Sequence, residues 1–271
     1  MKLSIITINF NNRDGLRKTI ESVVNQTWRD FEYIIIDGGS TDGSVEVIKE
    51  YADRIDYWVS EPDKGIYHAM NKGIDHAKGE YCLFMNSGDC IYQSTTLEEV
   101  YPQLDGTDII CGTTITDQGV TWDAPALINF RYLYETTVNH QSTFIHSKVM
   151  KRHKYDTSYK IVSDWKFLLE CLIIQNGSYK AIKSSIALYD TSGISSINAN
   201  HLVKERLEIL SALIPERILN DYQTSQEGKL YRILTEHRLH KLFYTLNIIP
   251  FKVASFFSSK SKWAKTFPFK I

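Results

Sequence analysis

Three apolar runs organise the first hundred residues, and each stops at a polar turn. Residues 3–10 are rich in β-branched side chains, and residues 31–36 are almost continuously apolar before Asp37-Gly38-Gly39-Ser40-Thr41-Asp42-Gly43. Residues 81–85 end in the same manner at Asn86-Ser87-Gly88-Asp89. Runs without polar alternation suit strands covered on both faces, as in a parallel sheet flanked by helices. The intervening segments have helical spacing: 16–24 (Leu16, Ile20, Val23, Val24), 44–51 and 67–77, with a short strand at 55–59. A helix at 96–104 and a strand at 108–115 continue the alternation. Strands separated by helices imply βαβ crossovers, an α/β class and a mostly parallel sheet. In such sheets ligands lie beyond the carboxyl ends of the strands, where the clusters at 37–43 and 86–89 fall.

The remainder is less regular. Between 120 and 176 the pattern predicts a strand at 143–145 and a helix at 165–175, which begins just after Ser163-Asp164. A strand follows at 182–189, a loop at 192–196 and helical periodicity at 201–242. The 271 residues, 43% hydrophobic, suffice for one large domain plus an extension. Cys82, Cys90, Cys111 and Cys171 are widely spaced with no CxxC, which predicts reduced thiols and neither a zinc site nor a redox pair. Residues 3–8 read as a strand rather than a leader peptide, and no apolar stretch reaches membrane-spanning length.

The formal net charge of -1 conceals two halves. Residues 1–100 hold 10 Lys+Arg against 17 Asp+Glu, while residues 237–271 hold seven basic residues and no acid. That tail interleaves Lys with Phe243, Tyr244, Phe251, Phe256, Phe257, Trp263 and Phe267, a composition suited to an anionic membrane surface. No nucleic-acid-binding motif accompanies the charge.

Each polar cluster has a structural reading and a chemical one. Asp37 is a turn residue before two glycines, and equally a carboxylate placed to accept N–H donors from a bound base. Asp89 ends a second turn at the same sheet edge, where a carboxylate holds a hard divalent ion bridging to phosphate oxygens. Asp63 and Lys64 join a strand to a helix, either as cap and solvated charge or as contacts to a nucleotide and sugar, with Asn71 pointing into the crevice. Asp164 reads as an N-cap of the 165–175 helix or as a base.

Taken together, LSIITINFN, FEYIIIDGGSTDG, SEPDKGIYHAMNKGI and GEYCLFMNSGD resemble the inverting, family 2 type of glycosyltransferase with the GT-A fold, over roughly residues 1–200. The resemblance implies a nucleotide-sugar donor, usually a UDP-sugar, a Mn2+ or Mg2+ ion, and single displacement at the anomeric carbon. It places Thr7, Phe10, Asp37, Asp63, Lys64, Asn71, Asn86 and Asp89 at the donor and Asp89 on the metal. Asp164 takes the position of the general base, and His140 lines the acceptor side. Gly193–Ser196 is the candidate for a loop closing over the donor. The chain departs from the family's acidic cluster at Asn86 and Gly88, and Gly38 replaces an acid often found after the position of Asp37.

The expected architecture is a GT-A domain at 1–200, with a nucleotide-sugar-binding half at 1–110 and an acceptor-binding half at 111–200. A helical, basic C-terminal extension follows at 201–271. The expected activity is hexosyl or N-acetylhexosaminyl transfer from a UDP-sugar to a hydroxyl of a glycan or lipid-linked saccharide. The expected setting is bacterial surface-polysaccharide synthesis at the cytoplasmic face of the membrane. Two alternatives stay open at this point. One is a nucleotide-sugar-binding protein without turnover. The other is a sugar-nucleotide pyrophosphorylase, which would want a richer glycine loop after the first strand than Asn9-Phe10-Asn11-Asn12-Arg13-Asp14-Gly15 supplies.

Overall fold

The computed structural model describes residues 1–191 and 199–224. Its first compact unit is Met1–Arg206 and its second is Leu207–Ile271. The first unit takes in Glu205 and Arg206.

The strands are β1 (Leu3–Asn9), β2 (Phe31–Asp37), β3 (Tyr57–Ser60), β4 (Tyr81–Phe84), β5 (Cys90–Ile91), β6 (Ile109–Thr116), β7 (Thr121–Trp122), β8 (Thr143–His146) and β9 (Tyr179–Tyr189). They form one sheet in the order β3-β2-β1-β4-β8-β6-β9-β5, with β7 paired to β6. The pairings among β1, β2, β3 and β4 are all parallel, as the crossover pattern predicts. Beyond β4 the sheet is mixed. β8 runs antiparallel to both β4 and β6, β6 and β9 are parallel, and β5 and β7 are antiparallel edge pieces.

Two antiparallel steps restore direction, so β6 and β9 point the same way as β1. The carboxyl ends of β1, β2, β3, β4, β6 and β9 consequently share one edge. β8 is reversed, and its amino end, preceded by the 3-10 turn His140–Ser142, lies at that edge as well. This topology gathers residues 37, 86–89, 140–142 and 190 from distant parts of the chain.

Helices α1 (Arg13–Val24) and α2 (Ser44–Glu50) pack Leu16, Ile20, Val23, Val47 and Ile48 against Leu3, Ile5, Tyr33 and Ile35 on one face. α3 (Ile66–His76) covers the other face, where Gly73 lies directly on Ile6. The predicted helix at 96–104 divides into α4 (Thr96–Val100) and a 3-10 turn, Tyr101–Gln103. α5 (Phe130–Glu135) and α6 (Ser147–His153) occupy the stretch that periodicity left irregular. α7 (Ser163–Leu168) continues as a π segment, Leu169–Ile174, over the predicted 165–175 helix.

α8 (Ala199–Leu213) and α9 (Glu216–Thr224) replace the first part of the helical stretch predicted from 201. Pro215 separates them, since its ring removes an N–H donor from a continuing helix. The basic aromatic tail and Gly193–Ser196 lie outside the described residues. Among the described residues no helix is long and apolar enough to cross a membrane. The four cysteines are free thiols, and Cys82, Cys111 and Cys171 are buried.

Candidate functional site

Asp37 ends β2 with no exposure, and its carboxylate is saturated. Oδ1 accepts from Asn9 Nδ2 at 2.7 Å and Ser40 Oγ at 2.6 Å. Oδ2 accepts from the Ser40 N–H at 2.9 Å and Ser60 Oγ at 2.6 Å. Burial pushes this carboxyl up, and the four donors outweigh it and hold it below the usual carboxylate range. With about four acceptor positions on a carboxylate, none remains for a base. Asp37 therefore ties the ends of β1, β2 and β3 together.

Two further expected donor contacts turn inward. Thr7 is fully buried and spends its hydroxyl on the Met85 carbonyl at 2.7 Å, beside Tyr33 Oη at 3.0 Å. Asn71 clamps the main chain of Tyr155, donating to its carbonyl at 2.8 Å and accepting its N–H at 2.9 Å.

Phe10 and Asp63 come together beside Gly38. Phe10 follows β1 and is 65% exposed. Asp63 Oδ1 accepts the Gly65 N–H at 2.8 Å, an Asx-type turn before α3, so helix entry is shaped two residues ahead of the cap at Gly65. A Cβ on Gly38 would stand 2.7 Å from Asp63 Oδ2 and 3.2 Å from the Phe10 ring. Gly38 is thus small to admit the Asp63 carboxylate, which fills the space a side chain at 38 would take. Lys64 is exposed in the same loop.

The Asn86–Asp89 turn is carried by α1. Thr19 Oγ1 donates to the Asp89 carbonyl at 2.7 Å and accepts the Gly88 N–H at 3.0 Å, while Asn12 Nδ2 donates to the Ser87 carbonyl at 3.1 Å. Gly88 has φ of 109°, a backbone region that favours glycine, so the turn itself accounts for the absence of an acid there. Asp89 is 6% exposed; its Oδ1 accepts the Asp190 N–H at 3.0 Å and its Oδ2 faces Gln141 Nε2 at 3.4 Å. Burial pushes the Asp89 carboxyl up to about 6, against the opposing pull of His140, and the neighbouring Asp190 charge adds to the rise.

Asp190 follows β9, and its Oδ2 lies 3.0 Å from where a Gly88 Cβ would be. It was not legible in the sequence, because only the β6–β9 pairing returns it to the 86–89 turn. Two carboxylates thus meet at this point, and Asn86 Oδ1 is buried with no partner. These are hard oxygen groups whose charge a cation would neutralise, so the residues fit a divalent ion such as Mn2+ or Mg2+. Among the described residues no group of three or more His, Cys, Asp or Glu side chains gathers as a self-sufficient metal cage.

His140 bridges this turn to Asp164. Its Nε2 meets Asn86 Nδ2 at 2.9 Å and its Nδ1 lies 3.6 Å from Asp164 Oδ2. Tyr67 Oη, from α3, donates to Asp164 Oδ1 at 2.9 Å and to the Ile161 carbonyl at 2.6 Å. Partial burial would raise the Asp164 carboxyl, but His140, Tyr67 and the Trp165 N–H outweigh it and hold it below the usual range. The same pairing, with a contribution from Asp89, keeps the His140 imidazole above its ordinary value although burial pulls it down. Asp164 is not the helix cap: α7 begins at Ser163 with Val162 in the cap position, which leaves the carboxylate to the cluster.

The loop before Asp164 is held from α8. The Glu205 carboxylate, 5% exposed, accepts the N–H groups of Lys160, Ile161 and Val162 at 2.7, 3.0 and 3.3 Å. Arg206 lies over the Trp165 ring at 4.4 Å. Glu205→Ala leaves three main-chain donors without a partner and is expected to cost about 3 kcal/mol of unfolding free energy. Urea denaturation checks this, with Glu205→Gln, which keeps one acceptor, expected to lose less.

The family model described as Glycosyl transferase family 2 matches residues 4–180. An uncharacterized glycosyltransferase of Mycobacterium tuberculosis is 32% identical over 203 residues, which is 72% of this chain and 77% of the relative. Among solved structures, Staphylococcus aureus TarS 1–349 in complex with UDP-GlcNAc superposes with a TM-score of 0.63 at 18% identity, covering 84% of this chain and 71% of that one. The mannosyltransferase PcManGT from Pyrobaculum calidifontis, in complex with GDP-Man and Mn2+, superposes at 0.59 with 15% identity, covering 78% and 64%. At those identities the superpositions establish a shared fold.

Proposed function

The chain belongs to glycosyl transferase family 2 and has the GT-A type of α/β fold, and from that premise we propose that it transfers a hexosyl or N-acetylhexosaminyl group from a UDP-sugar to an acceptor hydroxyl with inversion. The observation that carries this reading is the Asp164–His140–Asn86 chain, which joins an ionised carboxylate to the Asp89 turn at the carboxyl edge of the sheet.

In this reading the nucleotide base lies against Phe10 and donates an N–H to Asp63 Oδ2. Asp63 Oδ1 is already occupied by Gly65, so one carboxylate oxygen faces the crevice. That matches the single N3–H of uracil better than the adjacent N1–H and N2–H donors of guanine. Asp89 and Asp190 would hold a divalent ion, with Asn86 Oδ1 close by. When bound, the ion would neutralise the diphosphate leaving group, so no protein acid is needed there.

Asp164 takes the proton from the attacking hydroxyl. A base must be ionised before reaction, and the donors from His140 and Tyr67 keep it so at neutral pH. The acceptor is a glycan or lipid-linked saccharide, a reading supported by the basic, aromatic composition of residues 237–271, which suits peripheral contact with an anionic membrane.

The donor reading is tested by calorimetric titration of UDP, with GDP as control, in the presence and absence of Mn2+. UDP binding strengthened by Mn2+ is expected; equal affinity for GDP overturns the base assignment. Gly38→Ala sharpens the test. Its added methyl meets Asp63 Oδ2 and forces that carboxylate aside, so UDP affinity is expected to fall about tenfold, the loss of one charge-assisted hydrogen bond.

A further inference from the structure

One pair of aromatic rings stands outside the donor crevice. Trp122, on the edge strand β7, is 39% exposed, and its ring lies 5.8 Å from that of Tyr189 at the end of β9, tilted by 45°. Single exposed apolar residues are ordinary on protein surfaces. Here strand register puts both rings on one face of the sheet, beside the turn that follows His140.

Trp122 pairs with Thr114 and Tyr189 pairs with Thr116. Directly paired residues project to the same face, as do residues two apart along a strand. Thr114 Oγ1 meets Ser142 Oγ at 2.6 Å, which identifies that face as the one bearing the His140–Ser142 turn. Tyr189 also immediately precedes Asp190, whose N–H is bonded to Asp89.

The pair is well separated from the nucleotide crevice. β9, which carries Tyr189, lies four strand spacings from β1 in the sheet order, roughly 19 Å at the usual spacing between strands. Tyr189 is thus the chain neighbour of the residue that bonds Asp89, on a strand set apart from β1 and its Phe10 end. Polar groups border the rings: Thr191 Oγ1 donates to Asp117 at 3.0 Å, and Gln118 lies beside it at the tip of the β6–β7 hairpin.

We propose that the exposed Trp122 ring, backed by Tyr189, is a stacking platform for a pyranose ring of the saccharide acceptor. A pyranose presents one face of C–H groups and an edge of hydroxyls. It therefore pairs with an aromatic surface whose rim carries hydrogen-bonding side chains. This inference rests on the transferase reading of the Asp164 cluster, since that cluster makes the neighbouring surface an acceptor site.

The test uses the full chain and its Trp122→Ala and Trp122→Phe variants. Methyl β-glycosides of glucose, galactose and N-acetylglucosamine serve as probes, followed by saturation-transfer NMR, and UDP titration with Mn2+ is run on the same samples. At least one glycoside is expected to bind, Trp122→Ala to weaken it by about fivefold or more, and Trp122→Phe to retain most of the affinity, as one lost stacking contact implies. UDP affinity is expected to be the same in all three proteins. Glycoside binding that Trp122→Ala leaves unchanged overturns the platform, as does absence of glycoside binding to a wild-type protein that binds UDP. Trp122-dependent glycoside binding without UDP binding upholds the platform and overturns the donor reading; absence of both overturns the two together.

Discussion

Asp164→Asn is expected to lower turnover by a factor of about 10²–10⁴, the usual contribution of a positioned base, while leaving UDP affinity unchanged. The amide keeps the shape of the carboxylate and still accepts from Tyr67 Oη, so the loss is chemical rather than structural. The pH dependence carries the same signature. Asp164 must be deprotonated to act, and its carboxyl is held below the usual range, with burial opposed by His140 and Tyr67. Activity therefore falls only as pH drops through that lowered value. His140→Gln removes the ring that keeps Asp164 ionised, so the acid limb of kcat at saturating donor is expected to move to higher pH. The groups facing His140 are Asp164, Asp89 and Asn86, and the first of these dominates the coupling. An unmoved acid limb would remove Asp164 from the role of base.

Asp89→Asn is expected to abolish Mn2+-dependent UDP binding and at the same time to stabilise the folded chain at neutral pH. Burial pushes the Asp89 carboxyl up to about 6, so its ionised form is penalised in the fold. That penalty is absent below the unfolded carboxylate value of about 4, grows between there and pH 6, and is complete above. Removing the charge is expected to gain about 3 kcal/mol at pH 7.5 and nothing at pH 3.5. Thermal unfolding at the two pH values, without metal, measures the difference. A group kept at a cost to stability is the mark of a functional position. An Asp89→Asn protein no more stable than wild type at pH 7.5 would show that the desolvation is relieved by other means.

The parallel half of the fold is legible because β1, β2 and β4 are apolar runs with polar ends, a local signal that needs no tertiary context. β5 and β7, two residues each, are too short for any period to register. The reversal of β8 is set by its neighbours rather than by its own residues. Asp164, His140 and Asp89 stand out in the sequence, and the sheet brings them to one edge.

The residues that complete the site were hidden for a common reason. Tyr67 reaches Asp164 across 97 positions, Asp190 meets Asp89 across 101, and Glu205 grips the Asp164 loop across about 45. No local pattern encodes such contacts. Asp37 is conspicuous for a local reason: its carboxylate accepts four hydrogen bonds that tie three strand ends together. Gly38, read as a missing acid, is instead the space that Asp63 enters.

The chemistry attributed to Asp164 requires a single displacement, and product configuration tests that requirement directly. UDP-α-glucose, UDP-α-galactose and UDP-α-N-acetylglucosamine would each be incubated with the full chain, Mn2+ and the methyl glycosides, and the anomeric proton of the new glycoside read by NMR. The expected result is a β-linked product, formed by wild type and lost in Asp164→Asn. An α-linked product, or a β-linked product formed equally well by Asp164→Asn, would contradict the assignment of Asp164 as the base.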